Sequence, residues 1–472
     1  MLHRRSFLQA TFATTVLNPA LNAGQTGPPN IILITADDLG YGDLGCYGSN
    51  IPTPNLDQMA SEGVLFEQFC SSSPVCSPSR AALLTGRYST RVGVPSVISP
   101  TDTGGLSLSE TLLPQVLKAK NYQTACVGKW HLGSNTAYLP TSRGFDSFYG
   151  LPYSNDMSPL PLMSNTDVIE QPANLSTLTQ RYTDTALKFI AKAAGSPFFL
   201  YMPHTFPHIP LAASSPFQGQ SGMGHYGDSV AELDWSVGQI LSALKSYQLD
   251  QNTLVMFTSD HGPWYQGSAG RLRGRKGETY EGGVRVPFIA RFPGRIPQIN
   301  AARVFATKNQ GRVVSTFATS LDIFPTLAAL TGASLPSQPL DGVNIWPILS
   351  GQQLTVNRPP FLYFNDWNLQ CSRVGSMKVH VARYNTFPWT PIPSEGRINL
   401  PLPHAELYDL DTDPQESYDI SAANFNTVAN MRAQMEAAIV TFPTQVQQAW
   451  SYTKSQSVGS CPEGSLPEPP GP

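Results

Sequence analysis

The chain has 472 residues with 42 Pro and 38 Gly, yet only 30 basic and 33 acidic residues, so 13% are charged against about 25% in an average domain. A net charge of -3 without any long run of Lys or Arg leaves no electrostatic footprint for a nucleic acid or an anionic membrane. The length permits two or three domains with a sizeable core, and the 41% hydrophobic fraction suits a globular enzyme whose many prolines punctuate long, site-building loops.

The N-terminus reads as an address. His3-Arg4-Arg5-Ser6-Phe7-Leu8 is a twin-arginine pattern, followed by an interrupted apolar stretch from Phe7 to Ala20 and small residues near Ala23 and Gly24. This predicts a Tat-like signal over residues 1–23, with a Sec signal bearing two arginines as the alternative. Both make the mature protein exported, periplasmic or secreted. The stretch is too short and too polar (Gln9, Thr11, Thr14, Asn18) for a membrane span of about 20 apolar residues, and no later segment qualifies. Six scattered cysteines, at 46, 70, 76, 126, 371 and 461, do not make a disulfide scaffold, although an oxidising compartment permits a pair such as Cys371 with Cys461.

Next come short apolar runs bounded by turn or polar residues, as expected of strands buried on both faces: Asn30 to Thr35, Pro197 to Met202, Thr253 to Thr258 and Val286 to Arg291. Helical patterns lie between them. The clearest spans Asp228 to Tyr247, where Val230, Leu233, Val237, Ile240, Leu241 and Leu244 recur at helical spacing and Asp228 is placed to cap the start. The alternation predicts an α/β domain over residues 24–355 with a largely parallel sheet. Past Gly351 the texture changes to short alternating strands around Lys378 to Tyr384, then Leu407-Tyr408-Asp409-Leu410 and a helix near Val428 to Val440. We read residues 356–450 as a smaller α+β domain and 451–472 as a mobile tail rich in Ser, Pro and Gly.

Two signals carry chemistry. The strand ending at Thr35 is followed by Ala36-Asp37-Asp38, and the strand ending at Thr258 by Ser259-Asp260-His261-Gly262, so both deliver acids to the carboxyl edge where open α/β sheets bind ligands. An Asp after a strand commonly caps a helix. Three carboxylates at one edge, however, repel unless a cation neutralises them, and oxygen ligands suit a hard ion such as Ca²⁺ or Mg²⁺. The second signal is Cys76-Ser77-Pro78-Ser79-Arg80 running into Ala81-Ala82-Leu83-Leu84-Thr85-Gly86. A lone Cys is usually a core residue or half a disulfide, with Cys70 nearby as a partner. Here Ser and Pro precede a helical segment, which puts Cys76 near a helix N-terminus where an anion is favoured. Residue chemistry alone leaves open whether it acts as a thiolate nucleophile or in another form.

The run Cys76-Ser77-Pro78-Ser79-Arg80 with Leu84-Thr85-Gly86 resembles the signature of the type I sulfatases, in which the Cys is converted to formylglycine (3-oxoalanine). Asp37-Asp38, Gly128-Lys129-Trp130-His131-Leu132-Gly133, Pro152-Tyr153-Ser154-Asn155-Asp156, Gly277 to Pro287 and Leu407-Tyr408-Asp409-Leu410 with Asp413-Pro414 extend the resemblance over nearly the whole mature chain. It is strongest toward the arylsulfatase A and N-acetylgalactosamine-6-sulfatase group. The resemblance implies an alkaline-phosphatase-like fold, a large mixed sheet flanked by helices with a smaller C-terminal α+β domain.

It also implies hydrolysis of an aryl or carbohydrate sulfate monoester by a hydrated formylglycine at position 76, made by a formylglycine-generating enzyme. Asp37, Asp38, Asp260, His261 and residue 76 would hold the metal, Ca²⁺ ahead of Mg²⁺ or Mn²⁺. Arg80 would hold the formylglycine, Lys129, Lys276 and Ser154 would contact the sulfate, His131 would take the proton that triggers sulfate release, and His208 or Lys276 would serve as general acid. His204 is read as a structural neighbour. One position departs from the group's pattern: Asp260 is followed by His261 where Asn is common, and imidazole suits Ca²⁺ less well than an amide oxygen does. Rival readings are a phosphate or phosphonate monoesterase on the same superfold and a non-catalytic sulfoglycan-binding protein. Tyr153, Trp264, Tyr265, Trp367 and Trp389 are candidates for an entrance that stacks on a ring, or for core.

Overall fold

The computed structural model describes residues 27–297, 311–386, 390–394 and 396–455. The predicted signal, Cys461 and Trp389 lie outside them. Each predicted strand forms. Asn30–Ala36 runs up the middle of a ten-stranded sheet, parallel to Phe198–Pro203 on one side and Thr253–Ser259 on the other. Gln123–Val127 and Ser147–Gly150 continue the parallel set. Both flanks bring in antiparallel pairs: Phe288–Arg291 reverses beside Thr253–Ser259 and is antiparallel to Val64–Phe66, which pairs in parallel with Arg312–Val314 at that edge, and Leu162–Ser164 and Asp167–Glu170 close the other edge. The sheet is therefore mixed, with a parallel centre.

Alternation along the central strand explains its continuous hydrophobicity. Ile31 and Leu33 face one fully buried cluster, with Leu83, Leu84, Phe324 and Leu327 from helices Cys76–Thr85 and Ile323–Thr331. Ile32, Ile34 and Ala36 face another, with Leu178, Tyr182, Val230, Leu233 and Val237 from helices Leu178–Ala193 and Gly224–Ser246. A strand covered on both faces has no polar side to show. The last of these helices starts earlier than the sequence suggests. Asp228 does not cap it; its carboxylate accepts from the amides of Gly219 and Ser221 at 2.8 and 3.1 Å and ties down the loop before the helix.

The C-terminal unit is a four-stranded antiparallel sheet, Phe361–Asn365, Asn368–Val374, Met377–Tyr384 and Asn399–Asp409. Helices Phe425–Ile439 and Thr444–Ser455 bring Met431, Met435, Ile439, Val446 and Trp450 into one cluster with Leu362, Leu369, Val379 and Leu407. The second of these helices continues through Ser455, past the residue where the tail was expected to begin. Cys70, Cys76 and Cys371 carry no disulfide among the described residues. Cys371 is buried with its sulfur 3.1 Å from His380 Nδ1. No helix among the described residues is long and apolar enough to cross a membrane.

Candidate active site

Strand register builds the site. Ala36 pairs with Ser259 and Thr35 with Pro203, so the chain leaves three adjacent strands at one level. The connections are then stitched together: Asp260 N donates to Ala36 O at 3.1 Å, His204 N to Thr35 O at 2.7 Å and Lys129 N to Pro203 O at 2.7 Å. Asp38 turns into the left-handed region with φ 65°. That conformation is uncommon outside glycine, and it folds the loop back so that Leu39 N reaches Ser259 Oγ at 3.1 Å. The Ser259 hydroxyl donates in turn to His261 O at 3.0 Å, fixing the two acidic loops against each other.

Cys76 is the first residue of the helix Cys76–Thr85. Its sulfur lies 3.6 Å from Asp37 Oδ1 and 3.2 Å from His261 Nε2. Four residues on, the fully buried Arg80 guanidinium faces the same side of the helix. Its Nε and Nη2 donate to Asp260 Oδ2 at 3.1 and 2.9 Å, Nη2 also reaches Asp37 Oδ2 at 3.0 Å, and Nη1 donates to Lys129 O at 2.6 Å. Ser79, to which the motif reading assigns no role, donates its hydroxyl to the Asp260 carbonyl. The Lys129 amine bridges Asp37 Oδ2 and Ser154 Oγ. The Lys276 amine grips both Asp38 oxygens at 2.7 and 3.0 Å, and His208 Nε2 stands 3.7 Å from Asp38 Oδ2.

Burial and charge oppose each other here. Burial alone would neutralise Asp37, but Lys129, His208 and Arg80 hold its carboxyl well below the usual range. Asp38 is likewise buried, and Lys276, His208 and His261 hold it ionised. Burial disfavours the Lys276 cation, yet Asp38 keeps its pKa above the ordinary lysine value. His131 behaves differently. Burial, reinforced by Lys129 and Arg80, drives it well below its usual value and keeps the ring neutral. Its Nε2 faces the Ile98 carbonyl at 3.0 Å, which can only accept, so Nε2 carries the hydrogen and Nδ1 keeps its lone pair. Nδ1 is buried with no partner among the described residues. His204 is buried with neither ring nitrogen partnered among them, and burial lowers it to about 4, which fits a structural role beside Tyr182.

Asp37, Asp38, Cys76 and His261 each place one ligand-type atom within 4.8 Å of the others. Asp260 borders this group, with Oδ2 taken by Arg80 and Oδ1 3.6 Å from His261 Nε2. His261 Nδ1 lies 2.9 Å from Gly262 O and donates to it. The remaining nitrogen, Nε2, can carry a proton shared with Cys76 and the carboxylates or present a lone pair to a cation in its place. The donor chemistry fits a divalent metal.

Residues 29–333 match the sulfatase family model. The chain belongs to the sulfatase family. It is 38% identical to human (Homo sapiens) arylsulfatase A over 472 aligned positions, covering 89% of this chain and 90% of that protein. To the N-acetylgalactosamine-6-sulfatase of Canis lupus familiaris it is 39% identical, covering 85% and 83%. Among solved structures, the PsFucS1 sulfatase from Pseudoalteromonas sp. superposes with TM-score 0.77 at 28% identity over 89% of this chain and 92% of that one. A phosphonate monoester hydrolase of Agrobacterium radiobacter shares the fold, with TM-score 0.57 at 21% identity, covering 86% and 96%. This sulfatase is thus a hydrolase of sulfate esters with the expected fold. Of the entrance aromatics, Trp264 stands at the site with its ring 5.9 Å from the Lys276 amine, Tyr265 packs edge-on against it and is exposed, Tyr153 is core, and Trp367 packs on the C-terminal cluster.

Proposed function

We propose that this sulfatase hydrolyses an aryl or carbohydrate sulfate monoester through residue 76 after its conversion to formylglycine, with a divalent cation held by Asp37, Asp38, Asp260, His261 and residue 76. The observation that supports it most is the Cys76 sulfur at a helix start, between Asp37 Oδ1 and His261 Nε2. Hydrated formylglycine supplies one hydroxyl to attack sulfur and a second whose deprotonation expels the sulfate. The cation supplies charge neutralisation for the nucleophile and the sulfate oxygens. Oxygen at position 76 beside the carboxylates favours Ca²⁺, while the imidazole of His261, a softer ligand than an amide oxygen, is the feature that weakens the preference for Ca²⁺ over Mg²⁺ or Mn²⁺.

The chain's own residues do the rest. Arg80 pins Asp37 and Asp260 and holds residue 76 in place. Lys129 and Lys276 are buried or nearly buried cations facing the carboxylate cluster, where fixed charge stabilises sulfate oxygens most strongly because little water screens it. The neutral His131, with Nδ1 unpartnered, is the acceptor for the proton that leaves residue 76. His208 is better suited than Lys276 to protonate the leaving oxygen, since burial lowers the His208 pKa and makes its imidazolium the readier proton donor, whereas Asp38 holds the proton on the Lys276 amine. Ser154 orients Lys129 and is placed to reach a sulfate oxygen. Conversion before export suits a Tat-type signal, so we assign the mature enzyme to the periplasm or exterior.

Mass spectrometry of the peptide spanning residue 76, with sulfate release from 4-methylumbelliferyl sulfate, tests the reading. An aldehyde at position 76 and turnover lost in Cys76→Ala are expected. An unmodified thiol in protein from the native host would favour a non-catalytic sulfoglycan-binding protein. Efficient phosphate or phosphonate monoester turnover with negligible sulfate ester turnover would overturn the substrate assignment.

A further inference from the structure

A cavity of about 440 Å³ lies between the loop 268–280 of the large domain and the C-terminal sheet, a volume suited to a sugar-sized ligand. Four arginines line it, Arg273, Arg275, Arg383 and Arg397, and among the described residues Glu278 is its sole lining carboxylate. Clustering four cations in a chain of net charge -3 is costly unless an anion arrives to meet them.

Their present partners orient them without discharging them. Arg273 donates to Glu416 O at 3.0 Å, Arg275 to the carbonyls of Trp264 and Gly267 at 2.9 Å each, and Arg397 to Gly277 O at 3.3 Å. Among the described residues only Arg383 meets a carboxylate, that of Glu406. Arg273 and Arg397 stack at 4.1 and 4.0 Å on the rings of Tyr280 and Tyr384, which fixes the guanidinium planes while leaving their edges to donate. Among the described residues no partner meets Arg383 Nε, Arg397 Nε or the hydroxyl of Tyr280, a residue only 7% exposed. Glu278 offers little counter-charge, because burial outweighs the arginines and pushes its carboxyl up to about 7.

The cavity shares a wall with the catalytic site. Gly277 lines it and donates its amide to the carbonyl of Pro74 at 2.8 Å, two residues before Cys76. The preceding residue, Lys276, holds Asp38.

We propose that this arginine-lined cavity is a second anion subsite, which takes a further sulfate or carboxylate of a polyanionic glycan while residue 76 faces the scissile ester. The inference rests on the carbohydrate-sulfate reading above and adds that the enzyme acts on multiply charged oligosaccharides. The common chemistry is an oxyanion recognised by forked guanidinium donors.

The test measures binding rather than turnover, so it does not depend on the nucleophile. Calorimetry on a Cys76→Ala background would use two probes, sucrose octasulfate for the sulfate arm and trigalacturonate for the carboxylate arm. Adding Arg397→Ala should weaken at least one probe about tenfold, the loss of one charge-assisted hydrogen bond, with Arg397→Lys intermediate because it keeps charge without the fork. Whichever arm weakens identifies the anion. Thermal melts check folding, and Arg383→Gln replaces Arg397→Ala if that variant does not fold. Unchanged affinity for both probes would sink the subsite, whereas absent turnover of 4-methylumbelliferyl sulfate by the unmutated enzyme would count against the proposed reaction alone.

Discussion

At residue 131 a neutral imidazole sits one residue beyond Trp130 and two beyond the charged Lys129, buried, with its free nitrogen pointing at no protein donor or acceptor among the described residues. An orphaned buried acceptor costs stability, so its retention marks a task. His131→Asn is the informative change, because φ is 62° here and Asn tolerates that left-handed conformation. We expect kcat for 4-methylumbelliferyl sulfate to fall by about 10²-fold or more, the usual worth of a positioned base, with KM much less affected. A kcat within a factor of about two of the unmutated enzyme would remove His131 from the mechanism. The motif boxes exposed this residue, but nothing in the sequence reveals that burial, reinforced by Lys129 and Arg80, keeps its ring neutral.

Elements follow from local pattern wherever the burial is simple. The apolar runs become central strands because both their faces are covered, and the helical spacing of Val230 to Leu244 becomes one side of the long helix Gly224–Ser246. The same helix also carries Asp234, whose role no periodicity discloses. Its carboxylate caps the start of the helix Pro54–Ser61, accepting from Leu56 N at 2.8 Å and from Asn55 N and Nδ2 at 3.2 and 2.7 Å. Burial, only partly offset by those bonds, raises its pKa to about 6 from 3.8. A raised carboxyl pKa stabilises the fold fully below the unfolded value and loses that contribution as pH rises through the folded one. Between about pH 4 and pH 6 the unmutated protein should therefore lose on the order of 2 kcal/mol relative to Asp234→Asn. Denaturant melts of both proteins across that range would refute this if the difference between them stayed constant with pH.

Across the whole molecule, one buried charge network couples the two sheets. Lys378 of the C-terminal sheet lies 2.9 Å from Glu281 of the large domain and 3.0 Å from Glu416, and His380 lies 2.6 Å from Glu416. Arg285 meets Glu281 at 2.6 Å, and Glu281 N donates to Glu416 Oε2 at 2.6 Å. Burial disfavours the Glu281 anion, yet Lys378 and the arginines hold it ionised. Deleting one partner strands the others in a low-dielectric interior. Lys378→Met should thus cost about 3–5 kcal/mol, and Lys378→Met with Glu281→Gln should recover part of that. Calorimetry giving Lys378→Met a melt equal to that of the unmutated enzyme would disprove the coupling.

The sequence by itself determined the α/β class, the central strands, the family and which acidic loops and cysteine gather at the strand ends, because periodicity and motif spacing are local and survive in one dimension. It did not carry the Asp234 cap, the Lys378–Glu281–Glu416 joint or the arginine cavity. Those pair residues far apart in the chain, 178 positions for Asp234 with Leu56 and 97 for Lys378 with Glu281, and their partners are chosen by strand register and domain packing. The low overall charge of the chain concealed the outcome: tertiary structure gathers anions at the strand ends around residue 76 and cations beyond Gly277, and only that placement gives the charges a function.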